Sequence, residues 1–165
     1  MTRAEAPDDG DELMVTCGWL LFHRDALAAK CADLRPDQLA LRSCPPSNLT
    51  LLGLVRHMTE MERVYGVHAT GPEARLEMVY GAYADDGPEW DFDVRESMVA
   101  ESFAAWDREK SASDMRIASC GSLDTISPAT GRTVRWAIQK LVSEYARHNG
   151  HADLIRERID GVTGE

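Results

Sequence analysis

Residues 133–161, Thr133-Val-Arg-Trp-Ala-Ile-Gln-Lys-Leu-Val-Ser-Glu144-Tyr-Ala-Arg-His148-Asn-Gly-His151-Ala-Asp-Leu-Ile-Arg-Glu-Arg-Ile-Asp160-Gly161, decide the fold. Thr133 is a natural N-cap and Gly161 a natural C-terminal stop, so the spacing predicts one long helix between them. Its apolar face carries Ala137, Leu141 and Ile155. At about 100° per residue, Glu144 and His148 lie only ~40° apart on that face, with His151 ~20° to the other side of Glu144. Three polar side chains therefore sit in the middle of an apolar stripe. Burying them without partners costs several kcal/mol. A divalent cation solves this by accepting a carboxylate and neutral imidazoles together; hydrogen bonding within a buried Glu–His pair is the alternative.

Working outward, three more helical patterns appear. One runs from about Asp11 to Asp33, with Met14, Cys17, Leu20, Leu21, Leu27, Ala28 and Cys31 as its stripe. A second runs from near Thr50 to about Val67 along Leu51, Leu54, Val55, Met58, Met61 and Tyr65. A third covers roughly Val94 to Ser113, marked by Met98, Phe103 and Trp106. The segments between are turn-rich: Cys44-Pro45-Pro46-Ser47-Asn48, then Gly71-Pro72, a possibly helical piece at Glu73–Tyr80, Asp85-Asp86-Gly87-Pro88, and Ser119 to Gly131. Four amphipathic helices with no alternating strand pattern predict an all-α four-helix bundle, and the two long connections suggest crossovers. A flexible segment at residues 1–10 followed by a single domain over 11–165 is the expected organisation. The Trp and Met residues are assigned to the core.

Composition excludes several partner classes. With 18 Lys and Arg against 28 Asp and Glu, the net charge is -10 and the isoelectric point about 4.9. That balance disfavours a nucleic-acid backbone and an anionic membrane surface. No apolar run approaches the roughly 20 residues that span a bilayer. The first ten residues are polar and acidic and lack the apolar core of a signal peptide, so a cytoplasmic location is expected. Cys17, Cys31, Cys44 and Cys120 are scattered with no Cys-x-x-Cys pair, and are read as reduced structural thiols.

His57, in Leu54-Val55-Arg56-His57-Met58, is the candidate third ligand. It lies ~60° from Leu54 and ~40° from Met61, at the edge of its helix's stripe, where it can lean toward a neighbour. His23, near the edge of the first helix's stripe, is either a wall of the site or a partly buried structural histidine. His68 and Asp153 read as solvated or helix-end residues. Gly150 costs its helix about 1 kcal/mol relative to Ala, which close helix approach beside the site would explain.

The stretch Leu51-Leu52-Gly53-Leu54-Val55-Arg56-His57, with Glu62-Arg63 behind it, resembles the second helix of DinB-like proteins. The 144–154 stretch, with Arg156-Glu157-Arg158-Ile159-Asp160-Gly161, Arg135-Trp136 and Asp91-Phe92-Asp93, resembles an actinobacterial branch of that family, similar to mycothiol S-transferases and mycothiol-dependent maleylpyruvate isomerase. The resemblance implies an up-down-down-up bundle and a metal held by His57, Glu144 and His148, the glutamate replacing the first of the family's usual histidine pair. Similar proteins often carry a His where this chain has Lys140, which either pairs with Glu144 or points to solvent. The ligand set is complete without His151, which then stands behind it. Mixed His and Glu donors suit Zn first, then Ni, Fe or Mn. The resemblance further implies mycothiol as co-substrate, transferred to an electrophilic small molecule. Arg147 and Arg156 are candidate contacts for that thiol, or surface ion-pair formers. The alternatives are a metal-dependent hydrolase using an activated water and a non-catalytic metal-binding stress protein, perhaps a homodimer.

Overall fold

The computed structural model of the chain describes residues 4–72, 77–80 and 93–164. Four long helices form it: α1 (Glu12–Cys31), α3 (Leu51–Met61), α4 (Val99–Ser119) and α5 (Val134–Asp160), with a short α2 (Pro36–Leu39) after α1. No strand occurs among the described residues, only an isolated antiparallel bridge between Ile126 and Thr133. The expected pieces at Asp85–Pro88 and Asp91-Phe92, and the first half of Glu73–Tyr80, lie outside the described residues; residues 77–80 are not helical.

Local signals set the helix ends. Asp11, Thr50 and Thr133 cap α1, α3 and α5 by accepting from the backbone N–H of Met14, Gly53 and Trp136. Gly161 closes α5 in the left-handed conformation (φ 81°). Two boundaries differ from expectation. α4 begins later, behind a 3₁₀ turn at Glu96–Met98, and continues through Ser113 to Ser119, because Ser113 and Ile117 are both buried and prolong the packed face. The second long helix is α-helical only to Met61, then widens into a π turn (Glu62–Val67) and tightens into a 3₁₀ turn (His68–Thr70).

Side-chain contacts give the helix directions. α1 and α5 meet in the same order, Glu12 with Arg135, His23 with Asn149 and Lys30 with Asp153, so they run parallel. α3 with its continuation meets α4 in the same order, Arg56 with Ser102, Glu62 with Ser113 and Thr70 with Cys120. Against α5 the order reverses, His57 with His148, Glu62 with Tyr145 and Tyr65 with Trp136. The arrangement is up-down-down-up.

The core contains Leu20, Leu27, Leu51, Leu54, Met58, Trp106, Ile138, Leu141, Tyr145 and Ile155. Its edges correct several sequence expectations. Met14 and Leu21 are exposed, and Arg24 takes a buried place on the α1 stripe. Trp19, Met115 and Trp136 are also surface residues; of the three tryptophans among the described residues, Trp106 alone reaches the centre, with its Nε1–H donating to Tyr145 Oη at 2.7 Å. The N-terminal segment runs back along α1: Ala4 N–H donates to Asp25 at 2.9 Å, and Pro7 packs on Gly18. Gly66 is where close approach does require glycine, since a Cβ there would fall 1.6 Å from Ser113 Oγ. Gly150 has no such reason, because a Cβ on it would meet nothing within 4 Å. Gly150→Ala is therefore expected to stabilise the protein by about 1 kcal/mol, raising Tm by ~2–4 °C in a thermal melt.

Candidate metal centre

His57 and the Glu144–His148 turn come together because α3 and α5 pack antiparallel through their apolar faces. One donor atom from each of His57, Glu144 and His148 lies within 4.8 Å of the others. The two imidazole rings are 4.5 Å apart between centroids, and His148 Nε2 is 3.7 Å from Glu144 Oε2. Glu144 is buried and both histidines are half-buried, so the cluster is a recess rather than a surface patch.

The electrostatics suit a cation. Burial, then the neighbouring His57 and His151 rings, push the His148 pKa down to about 4. Burial pulls Glu144 toward neutrality, but the Lys140 hydrogen bond and charge outweigh it and hold the carboxyl below its usual range. The donor set at neutral pH is thus an ionised carboxylate and an unprotonated His148, the forms a metal requires. Lys140 does pair with Glu144, but through Oε1, leaving Oε2 toward His148. Metal–ligand bonds of about 2.0–2.1 Å need these atoms drawn together by side-chain shifts on the order of an ångström. The residues fit a divalent cation.

Around them, His151 stands behind His148, with the two Nδ1 atoms 3.3 Å apart. A proton on His148 Nδ1 shared with His151 leaves Nε2 as the lone pair facing Glu144. His151→Phe is expected to weaken metal binding by about 10–100-fold in a chelator competition, without unfolding the bundle. His23 lies elsewhere, packed among Trp19 and Phe22, with Asn149 Nδ2–H donating to its carbonyl at 3.0 Å. That bond ties α1 to α5 one residue beyond His148. Arg147 is exposed beside the cluster.

Of the two readings of Arg156, thiol contact or surface ion pair, the structure shows an ion pair with the exposed Asp160, made by a buried side chain. Arg156 also donates to the carbonyls of Lys30 and Ala32 at 3.0 and 2.9 Å. It caps the C-terminal end of α1, and eight residues of helix place it about 12 Å along α5 from His148. Asp153 is not simply solvated either, but pairs with Lys30 at 2.9 Å. His68 is half-buried in its 3₁₀ turn.

Sequence reasoning missed the buried polar network beside the recess. Arg24 grips Glu62 with two bonds of 2.7 Å and reaches Asp114 with a third. Tyr145 Oη–H donates to Glu62 at 2.7 Å, and Trp106 donates to Tyr145. Burial and the Glu62 charge raise the Tyr145 phenol well above its ordinary value, so it remains a donor. The signal was present: Arg24 sits four residues after Leu20 and three before Leu27, in mid-stripe.

His148 also gives a pH signature. Unfolded, its ring titrates near 6.5; folded and metal-free, it refuses the proton until about pH 4. Between those values the unfolded state binds more protons, so stability rises with pH across that window and His148 contributes no slope above it. Denaturant titrations of chelator-treated protein at pH 5 and 7 should show lower stability at pH 5. A His148→Gln variant should show a smaller difference.

The sequence model described as Mycothiol-S-transferase matches residues 16–161. This chain belongs to the mycothiol S-transferase family. The match takes in most of α1, all of α3, α4 and α5, and each residue of the recess, so the DinB-like resemblance extends over the whole bundle. No curated protein and no solved structure matches the chain. Among the described residues, no helix is long and apolar enough to cross a membrane.

Proposed function

We propose that this member of the mycothiol S-transferase family transfers mycothiol, a low-molecular-weight thiol, to an electrophilic small molecule at a divalent metal held by His57, Glu144 and His148. The observation that carries this reading is the convergence of those three donors from two helices in a chain of that family. When bound, the cation supplies Lewis acidity that keeps a thiol of ordinary pKa near 8.5 as thiolate at neutral pH. Three protein donors leave a coordination position for an exogenous ligand, and zinc is the ion such a His and Glu set takes by default.

The chain's own residues do the rest. Lys140 holds Glu144 ionised and turned by one oxygen, and His151 orients the His148 ring. The reacting sulfur comes from outside the chain: burial raises the Cys31 pKa to about 12 and lifts those of Cys17 and Cys120 as well, leaving these thiols protonated and poor nucleophiles at neutral pH. The exposure of Arg147 next to His148 supports its assignment to a polar part of the thiol.

The test is a panel of thiols, with mycothiol among them, offered with a bimane acceptor to the zinc-loaded protein. Adduct formation that depends on mycothiol, and that falls away in protein stripped of metal, is the expected result. Product released without any thiol would replace this reading with hydrolysis. Adduct formation that persists in His148→Ala would remove the recess from the chemistry.

A further inference from the structure

Lys140 lies one turn before Glu144 on α5, and its ammonium donates to Glu144 Oε1. The other carboxylate oxygen, Oε2, stands 3.7 Å from His148 Nε2. A second contact reaches the ammonium from across the helix pair: it lies 5.5 Å from the centre of the Tyr65 ring, within the range at which an aromatic face attracts a cation. Tyr65 belongs to the π turn that continues the helix bearing His57. Both ligand-bearing helices therefore hold the same ammonium, on a side chain that is only 34% exposed. An i, i+4 pair in open water is a weak contact; this one is braced at the recess itself.

For a metal site the arrangement is unfavourable at first sight. A fixed positive charge bonded to a ligand opposes the incoming cation, and it occupies an oxygen that a carboxylate can otherwise offer as a second donor. Lys140 therefore lowers metal affinity. The charge count shows what is gained. Two unprotonated imidazoles and one carboxylate carry a single negative charge, and Lys140 cancels it. The donor set then adds no net charge to a divalent ion, and with Oε1 engaged it offers three atoms instead of four, which keeps a position open.

We propose that Lys140 is a positioning residue: it restricts Glu144 to one-oxygen ligation and cancels its charge, so that the recess captures its cation less tightly and binds an exogenous anion more tightly. The inference rests on the metal reading of the recess, and on thiol transfer only for the identity of that anion as a thiolate. His57, Glu144 and His148 supply the donors, and Lys140 sets how much of the cation's charge remains for a fourth ligand.

Metal and anion binding read this without turnover, with cobalt as a spectroscopic substitute for zinc and azide as the anion. Lys140→Met keeps a long helix-favouring side chain and removes the charge. It is expected to bind zinc about tenfold more tightly in a chelator competition, and its cobalt form to bind azide about tenfold more weakly. Its cobalt bands in the visible should lose intensity, because the second carboxylate oxygen raises the coordination number. Lys140→Gln, equally neutral, should move all three readings the same way and keeps the test open if Lys140→Met folds poorly. Lys140→Arg, which retains the charge, should gain no zinc affinity. Zinc affinity in the neutral variants equal to or below that of the wild type, with helicity intact, would overturn the proposal. So would a gain in Lys140→Arg, or cobalt bands and azide affinity indifferent to every substitution. Metal that depends on His148 but ignores Lys140 would sink this inference alone and leave the metal reading standing. A wild type that binds neither ion, or binds them equally well as His148→Ala, would overturn both. The expected shifts in a protein that transfers no thiol would uphold the role of Lys140 and overturn the thiol-transfer reading.

Discussion

His148→Ala is expected to weaken zinc binding by more than about 100-fold and to abolish mycothiol transfer, with the helical bundle intact. Loss of a partner that merely orients a metal-bound histidine costs about 10–100-fold in affinity, and His148 is placed as a donor itself. Removing it leaves His57 and Glu144 on separate helices with no second imidazole to close the set. It also removes a ring that the fold keeps unprotonated at some cost, since burial and two neighbouring histidines push its pKa to about 4; the metal-free variant should therefore be no less stable than the wild type at pH 5. Elemental analysis of the purified variant, alongside Glu144→Gln, checks the first half, and a chemical denaturation curve checks the second. Zinc retained at full stoichiometry in His148→Ala would place the metal elsewhere.

The largest effect on stability is expected at Arg24. Glu62 is fully buried, and its carboxylate is met by the Arg24 guanidinium and the Tyr145 hydroxyl. Arg24→Met keeps a long apolar side chain and leaves that carboxylate with one neutral donor. Breaking a buried pair on one side costs about 3–5 kcal/mol, which for a chain of this size lowers Tm by ~6–20 °C. Adding Glu62→Gln to Arg24→Met should recover part of the loss, because the uncompensated charge is gone, and the two effects should not add. The comparison of single and double variants by thermal melt is decisive. Additive losses would mean that the two residues act independently despite their 2.7 Å contacts.

These two sites differ in how far they could be read beforehand. The bundle and the Glu144–His148 pair were legible because both rest on periodicity within one helix: caps at Thr50 and Thr133, a stop at Gly161, and two ligand types one turn apart on an apolar face. His57 was legible only as an edge residue, since the antiparallel packing that brings it to α5 is a tertiary fact. Arg24 was hidden by its type, as a long cation on a helix usually carries its charge to water; its partner Glu62 lies 38 residues away. The π turn had no local signature at all, and Gly150 was misread because a helical glycine says nothing about whether a neighbour is near. Arg156 was read as a thiol contact or a surface ion-pair former, and its burial under the carbonyls that end α1 depends on a neighbour that the helix's own pattern does not reveal.

The π turn at Glu62–Val67 carries an implication for how the two ends of this second long helix are indexed to each other. A π turn admits one residue more than α-helical winding needs, and one residue corresponds to about 100° of rotation. What lies past it, the 3₁₀ turn at His68–Thr70 and the chain beyond, is thereby phased independently of His57, which lies before it. A lineage that gains or loses a single residue here can swing the His68–Thr70 end, whose Thr70 carbonyl meets Cys120 on α4, while His57 keeps its bearing. The docking of this helix on the end of α4 and the bearing of His57 are, on this architecture, separately adjustable by one codon.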